Sequence, residues 1–226
     1  MRPIRLDLTA IQDALAELPA ACAAFPDRDE LSPTVVERLL LGYAYVDDLL
    51  GREIDILQIG ASRHWLELNH IALCGPRTER GGIFSRHIDE TERRFYDDSL
   101  GGIGERMEWL KRHGGGAPET VAAGLFLQIV SAPQLFVEGN TRTATLIASF
   151  ALAARGRPPL VLTPGTAAAY FPIVDACADA ARGDWRGAIG RSRLAGRLER
   201  FLRETADPGF LLDADAACRP MRGGSL

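Results

Sequence analysis

The chain has 226 residues, a net charge of −4 and 26 basic side chains, of which Lys111 alone is a lysine. That imbalance excludes a Walker A phosphate loop, which needs Gly-Lys-Ser/Thr, because Lys111 lies in Trp109-Leu110-Lys111-Arg112-His113, a stretch that reads as an exposed helix end. Any phosphate bound here must be held by arginine, backbone N–H groups or a metal.

Apolar content of 46% and charged content of 25% suit one globular domain, and the length is enough to bury a sizeable core. Mild acidity argues against nucleic acid as a partner. Cys22, Cys74, Cys177 and Cys218 form no CxxC pair, and His64, His70, His87 and His113 do not sit at zinc-ligand spacing. Buried free thiols fit a reducing cytoplasm. No apolar run reaches the ~18 residues of a membrane span, and no signal-peptide core is visible at the N-terminus. The expectation is a cytoplasmic chain with no membrane partner, and its arginine-for-lysine, alanine-rich usage suits a GC-rich bacterial genome.

In chain order, Ile11, Leu15 and Leu18 stand at helical spacing within Thr9 to Phe25, which predicts an N-terminal helical extension over residues 1–30. Ser32-Pro33 is a start signal, since serine caps and proline suits the first helical position. Val36, Leu39, Leu40, Tyr43 and Leu50 continue that helix to a stop at Gly51. A third helix is predicted from about Gln58 to Cys74. Residues 75–100 break the pattern with Pro76, Gly81 and Gly82 and many charges, and read as a hairpin-like flap. Helices are then predicted over Ile103–Arg112, from Pro118 through Val130, over Asn140–Arg155, over Thr166–Arg182 and over Trp185–Glu204. The sum is an all-α domain of about eight helices over residues 31–205, with one flap and a loose tail at 206–226.

One segment carries chemistry: Pro133-Gln134-Leu135-Phe136-Val137-Glu138-Gly139-Asn140-Thr141-Arg142-Thr143. It is a loop feeding an apolar, alanine-rich helix. The first N–H groups of a helix lack intrahelical partners and lie at its positive end. With Gly139 allowing close backbone approach, Asn140 to Thr143 and the Arg142 guanidinium form a candidate anion site, and Glu138 a candidate Mg²⁺ ligand. The same residues also read as a plain capped helix start in which Glu138 pairs with Arg142 across one turn.

From Gln134 to Thr145 the segment resembles the signature of the Fic/Doc family, His-x-Phe-x-Asp/Glu-Gly-Asn-Gly/Lys-Arg-x-x-Arg, with Phe136, Glu138, Gly139, Asn140 and Arg142 as matches. The order of elements from Leu31 to Glu204 resembles it too. The resemblance implies a Fic-type helical bundle and the transfer of AMP, or another phosphate-containing group, from a nucleotide such as ATP to a protein hydroxyl. It implies Glu138 as the Mg²⁺ ligand, Gly139, Asn140 and Thr141 as the diphosphate cradle, and Arg142 as its counter-charge. The flap, about Gly81 to Tyr96, would hold a target protein, with His87 facing the site.

Three positions depart from the signature. Gln134 replaces the histidine that acts as general base, and an amide has no useful basicity near neutral pH; losing such a base costs about 10²–10⁴ in rate. Thr145 replaces the last arginine, which would grip a terminal phosphate. Thr141 stands where glycine or lysine is usual. His87 reads more readily as a solvated loop residue, His70 as a core residue, and His64 and His113 as surface residues. No inhibitory Ser/Thr-x-x-x-Glu-Gly/Asn element is visible. Two functions follow: a Fic-like transferase with weakened chemistry, in which Gln134 only orients the target, or a non-catalytic Fic-fold regulator that binds a nucleotide or a partner. A third is an unrelated helical regulator in which the motif is only a cap. A homo-oligomer is compatible with each.

Overall fold

A computed structural model of the chain describes residues 4–21, 32–76, 84–180 and 185–212, with the backbone alone at 21 and 185–189. The helices are α1 Leu8–Ala16, α2 Leu18–Ala21, α3 Pro33–Gly51, α4 Arg63–Cys74, α5 Ser85–Tyr96, α6 Ile103–His113, α7 Pro118–Val130, α8 Asn140–Ala153, α9 Pro164–Ala178 and α10 Trp185–Glu204. Strand content among the described residues is one antiparallel pair, β1 Arg5–Leu6 and β2 Leu211–Leu212, with Arg5 opposite Leu212. The architecture is all-α, as expected from the sequence.

Helix α8 is the axis of the bundle. It is buried continuously from Thr143 to Ala153, as a helix that is apolar or small on every side must be. Helix α7 lies along it, α3 and α4 pack on its other flanks, and α10 covers α7. Gly42 of α3 allows the close approach, because a Cβ there would meet Leu146 Cδ1 at 2.4 Å. Tyr43 and Ser149 both donate to Leu160 O, tying α3 and α8 to the connector after α8.

Several boundaries follow local chemistry. Ser32 Oγ accepts from Val35 N with Pro33 in the first turn. Helix α3 does not stop at Gly51 by a left-handed glycine. Its end is a Schellman turn in which Glu53, at φ 54, donates to Leu50 O and Ile54 donates to Leu49 O. The third predicted helix starts five residues late, at Arg63, after a turn that includes Gly60 at φ 93.

The hairpin-like flap is corrected over the residues that are described. Ser85–Tyr96 is helix α5, with Thr91 and Phe95 buried, and Phe95 stacks on Phe136 at 5.5 Å. Within the expected flap, residues 77–83 lie outside the described residues. The strand pair among the described residues sits elsewhere and joins the chain's two described ends. Asp47 of α3 secures it by accepting from Leu6 N at 2.8 Å and Arg5 Nε at 2.8 Å. Residues 206–212, counted with the tail in the sequence reading, include the 3-10 turn Pro208–Phe210 and β2; residues 213–226 lie outside the described residues.

Candidate functional site

The loop from Ser131 to Gly139 brings the motif to the N-terminus of α8. Leu135 and Phe136 are buried and anchor it. Leu135 N donates to Ile129 O, which turns the chain back on the end of α7. At Gly139 the backbone is left-handed, with φ 71, and its carbonyl accepts the first helical bond from Thr143 N at 2.9 Å. A Cβ at this position would lie 2.9 Å from Leu73 Cγ. Both backbone angle and space therefore require glycine.

Asn140, Gln134 and Arg142 are committed to the protein itself. Asn140 is buried and closes the loop: Oδ1 accepts from Phe136 N at 2.9 Å, and Nδ2 donates to Phe136 O at 3.0 Å and to Gln134 Oε1 at 3.1 Å. The side chain of Gln134 is thus held by Asn140, while its carbonyl accepts from Arg94. Arg142 donates to Ala72 O at 3.0 Å, at the C-terminal end of α4, where a cation is electrostatically favoured. Arg38 donates to the neighbouring Leu73 O. The expected turn-spanning pair of Glu138 with Arg142 does not form: the exposed Glu138 carboxylate makes no ion pair among the described residues.

Thr145 stands where the signature places its last arginine. Its hydroxyl donates to Thr141 O at 3.0 Å and meets Tyr170 OH at 2.9 Å. The cavity beside it, about 40 Å³, is lined by Thr141, Arg142, Leu15, Leu39, Tyr170 and Phe171 among others. Its walls are largely apolar, which suits a phosphate group poorly.

Three residues outside the motif hold this loop. Asn69 of α4 is fully buried and donates to Glu138 O at 2.9 Å and to Thr143 Oγ1 at 3.0 Å. Arg106 of α6 is fully buried and donates to Pro133 O at 2.9 Å, to Gln128 O at 3.0 Å and to Gly102 O at 3.2 Å. Arg94 of α5 joins Gln134 O to Leu100 O. The visible signal for Asn69 was a polar residue inside the otherwise apolar stripe of α4. Arg106 left no such signal, because an arginine in a charged helix reads as solvated.

The four histidines differ in their settings. His87 Nε2 bonds within its own helix to Thr91 Oγ1 at 3.3 Å, two turns before Arg94, the α5 residue that reaches the loop. His64 is half-buried rather than at the surface, and its Nδ1 meets Tyr45 OH at 2.7 Å. Burial pushes its imidazole below the usual value, and Arg63 and Arg52 push the same way. His113 is exposed and stacks on Trp109. His70 is buried in α4. Cys74 and Cys177 are buried free thiols, and burial pushes Cys177 up to about 12. Cys22 and Cys218 lie outside the described residues.

Among the described residues no group of three or more His, Cys, Asp or Glu forms a metal cluster. One exposed carboxylate, Glu138, is still compatible with Mg²⁺, which takes few protein ligands and completes its shell with water and phosphate oxygens. No helix among the described residues is long and apolar enough to cross a membrane.

No family model matches the chain, and no curated protein matches it. A solved Fic domain-containing signaling protein from Bacteroides thetaiotaomicron VPI-5482 is similar over 87% of this chain and 86% of that one, at 15% identity and a TM-score of 0.51. At that identity the likeness concerns the fold: the helical bundle is related to the Fic fold.

Proposed function

We propose that this chain is a Fic-fold protein that binds a phosphate-bearing ligand at the start of α8 and does not turn it over. The observation that carries the reading is the lock between Gln134 and Asn140. The position of the general base holds an amide, that amide is tied down, and His64, His87 and His113 each bond elsewhere, to Tyr45, Thr91 and the Trp109 carbonyl. The motif position therefore supplies no general base for a target hydroxyl.

Binding is supported by what the motif retains. The left-handed Gly139 directs the chain into α8, leaving the first N–H groups of the helix at its positive end. Glu138 stays exposed for a Mg²⁺ that would screen the phosphates. The small apolar cavity at Thr145 disfavours a terminal phosphate, so a diphosphate should bind at least as well as a triphosphate. A regulator or scaffold whose state reports a nucleotide fits these properties better than a transferase.

Calorimetric titration with ADP and ATP, with and without Mg²⁺, tests the reading, together with mass spectrometry for modified protein. Expected are Mg²⁺-dependent binding, ADP no weaker than ATP, loss of the Mg²⁺ dependence in Glu138→Ala, and no label. Absence of binding overturns the ligand. Labelling by the wild type that is lost in Glu138→Ala overturns the non-catalytic reading and establishes a transferase.

A further inference from the structure

We propose that a second cleft, at the opposite end of α8 from the motif, binds an organic cation with an apolar body, and that Glu53 is its charge anchor. The cleft has a volume of about 760 Å³, within the range of small-molecule sites. Its floor is made of Leu49, Leu50, Ile54, Met107, Leu110 and Phe150, of which Leu49 and Phe150 are almost fully buried. The 14 residues of α8 span ~21 Å, so this cleft is remote from Gly139 and does not rest on the reading proposed for the motif.

Its electrostatics come first from the backbone. Three helices end at its walls: α3 through Leu49 and Leu50, α6 through Leu110 and Lys111, and α8 through Phe150 and Ala154. Helix C-termini carry partial negative charge. Helix α6 offsets its own with Lys111, Arg112 and His113 in the last turn, whereas α3 and α8 have no basic residue in theirs. The cations flanking these ends are engaged: Arg52 pairs with Asp48 at 3.0 Å, and Arg155 donates to Gly114 O and Gly116 O. Lys111 faces Glu108 at 3.9 Å.

The lining carboxylates differ from those cations. Asp55 Oδ1 accepts one bond, from Leu57 N. Among the described residues, no hydrogen bond or ion pair engages the Glu53 side chain. Glu53 also occupies the left-handed position of the α3 Schellman turn, at φ 54, where glycine or asparagine would be unstrained. A carboxylate kept at a strained position, over an apolar floor and beside two helix C-termini, complements an alkylammonium or similar cation.

Titration calorimetry with hexyltrimethylammonium, and with hexanoate as the anion of matched apolar length, tests this on the full chain. The cation should saturate one site, hexanoate should give no saturable heat, and Glu53→Gln should weaken the cation about fivefold. Glu53→Gly should weaken it similarly while raising Tm, which separates lost binding from lost folding. Equal binding of both probes, unchanged affinity in Glu53→Gln, or no saturation by the cation at about 10 mM would each overturn the proposal.

Discussion

Gly139→Ala is the sharpest probe of how the motif loop is built, because two costs there can be separated. The backbone sits at φ 71, where a side chain costs about 1–2 kcal/mol. The new Cβ also falls 2.9, 3.0 and 3.2 Å from three carbons of Leu73, a buried residue with little room to retreat. Overpacking of this kind costs about 1–3 kcal/mol, which brings the expected loss to about 2–5 kcal/mol. Gly156 supplies the control: its φ is also 71, and nothing lies within 4 Å of a Cβ built there. Gly156→Ala should therefore lose only the backbone part, about 1–2 kcal/mol. Urea unfolding of both variants measures the difference, and Gly139→Ala combined with Leu73→Ala should recover part of it as a coupling energy. If the two single variants agree within about 0.5 kcal/mol, the ordinary scatter of uncoupled surface changes, the packing argument at Gly139 is wrong.

Two further predictions concern buried and half-buried basic side chains. Arg106→Lys keeps the charge but cannot serve Pro133 O, Gln128 O and Gly102 O together; leaving buried acceptors unmade costs about 1–3 kcal/mol each, so urea unfolding should show a loss of about 3 kcal/mol, and a loss under about 1 kcal/mol would refute the role given to this fork. The pKa of His64 is lowered by burial, then by Arg63 and Arg52, so its stabilising share is complete above the unfolded value of about 6.5 and is lost as pH falls through it. Unfolding midpoints should therefore drop between about pH 7.5 and about pH 5.5, and His64→Gln should flatten that drop; equal slopes in the two proteins would contradict it.

Much of the fold was legible because helix ends are written locally. Ser32-Pro33 and Pro118 each open a helix where expected, since capping depends on neighbours in sequence. The motif junction was legible for the same reason: Gly139 and the first turn of α8 are chain neighbours. Helix α5 was misread because its charges mask a sparse stripe. Ile88, Thr91 and Phe95 do stand at helical spacing, and they face inward or sit half-buried, but the preceding glycines and the charge run read as a flap. Glu53 was missed as a helix stop because a Schellman turn is set by backbone path, and Gly51, two residues earlier, offered the more usual signal.

What the sequence determined by itself is the absence of a Walker A loop, the all-α class and the position of the motif, each of which follows from composition or local spacing. What only the tertiary structure decided is how the motif's side chains are employed. Asn140 and Gln134 hold each other, Arg142 serves the end of α4, and Thr145 meets Tyr170. The arginines that replace lysine throughout the chain acquire their use the same way. Arg94 and Arg106 each join carbonyls from separate segments around the motif loop. A planar guanidinium can do this because its donors are fixed in a fork. Which carbonyls it meets depends on where the chain has been folded, so no reading of spacing along the sequence can supply them.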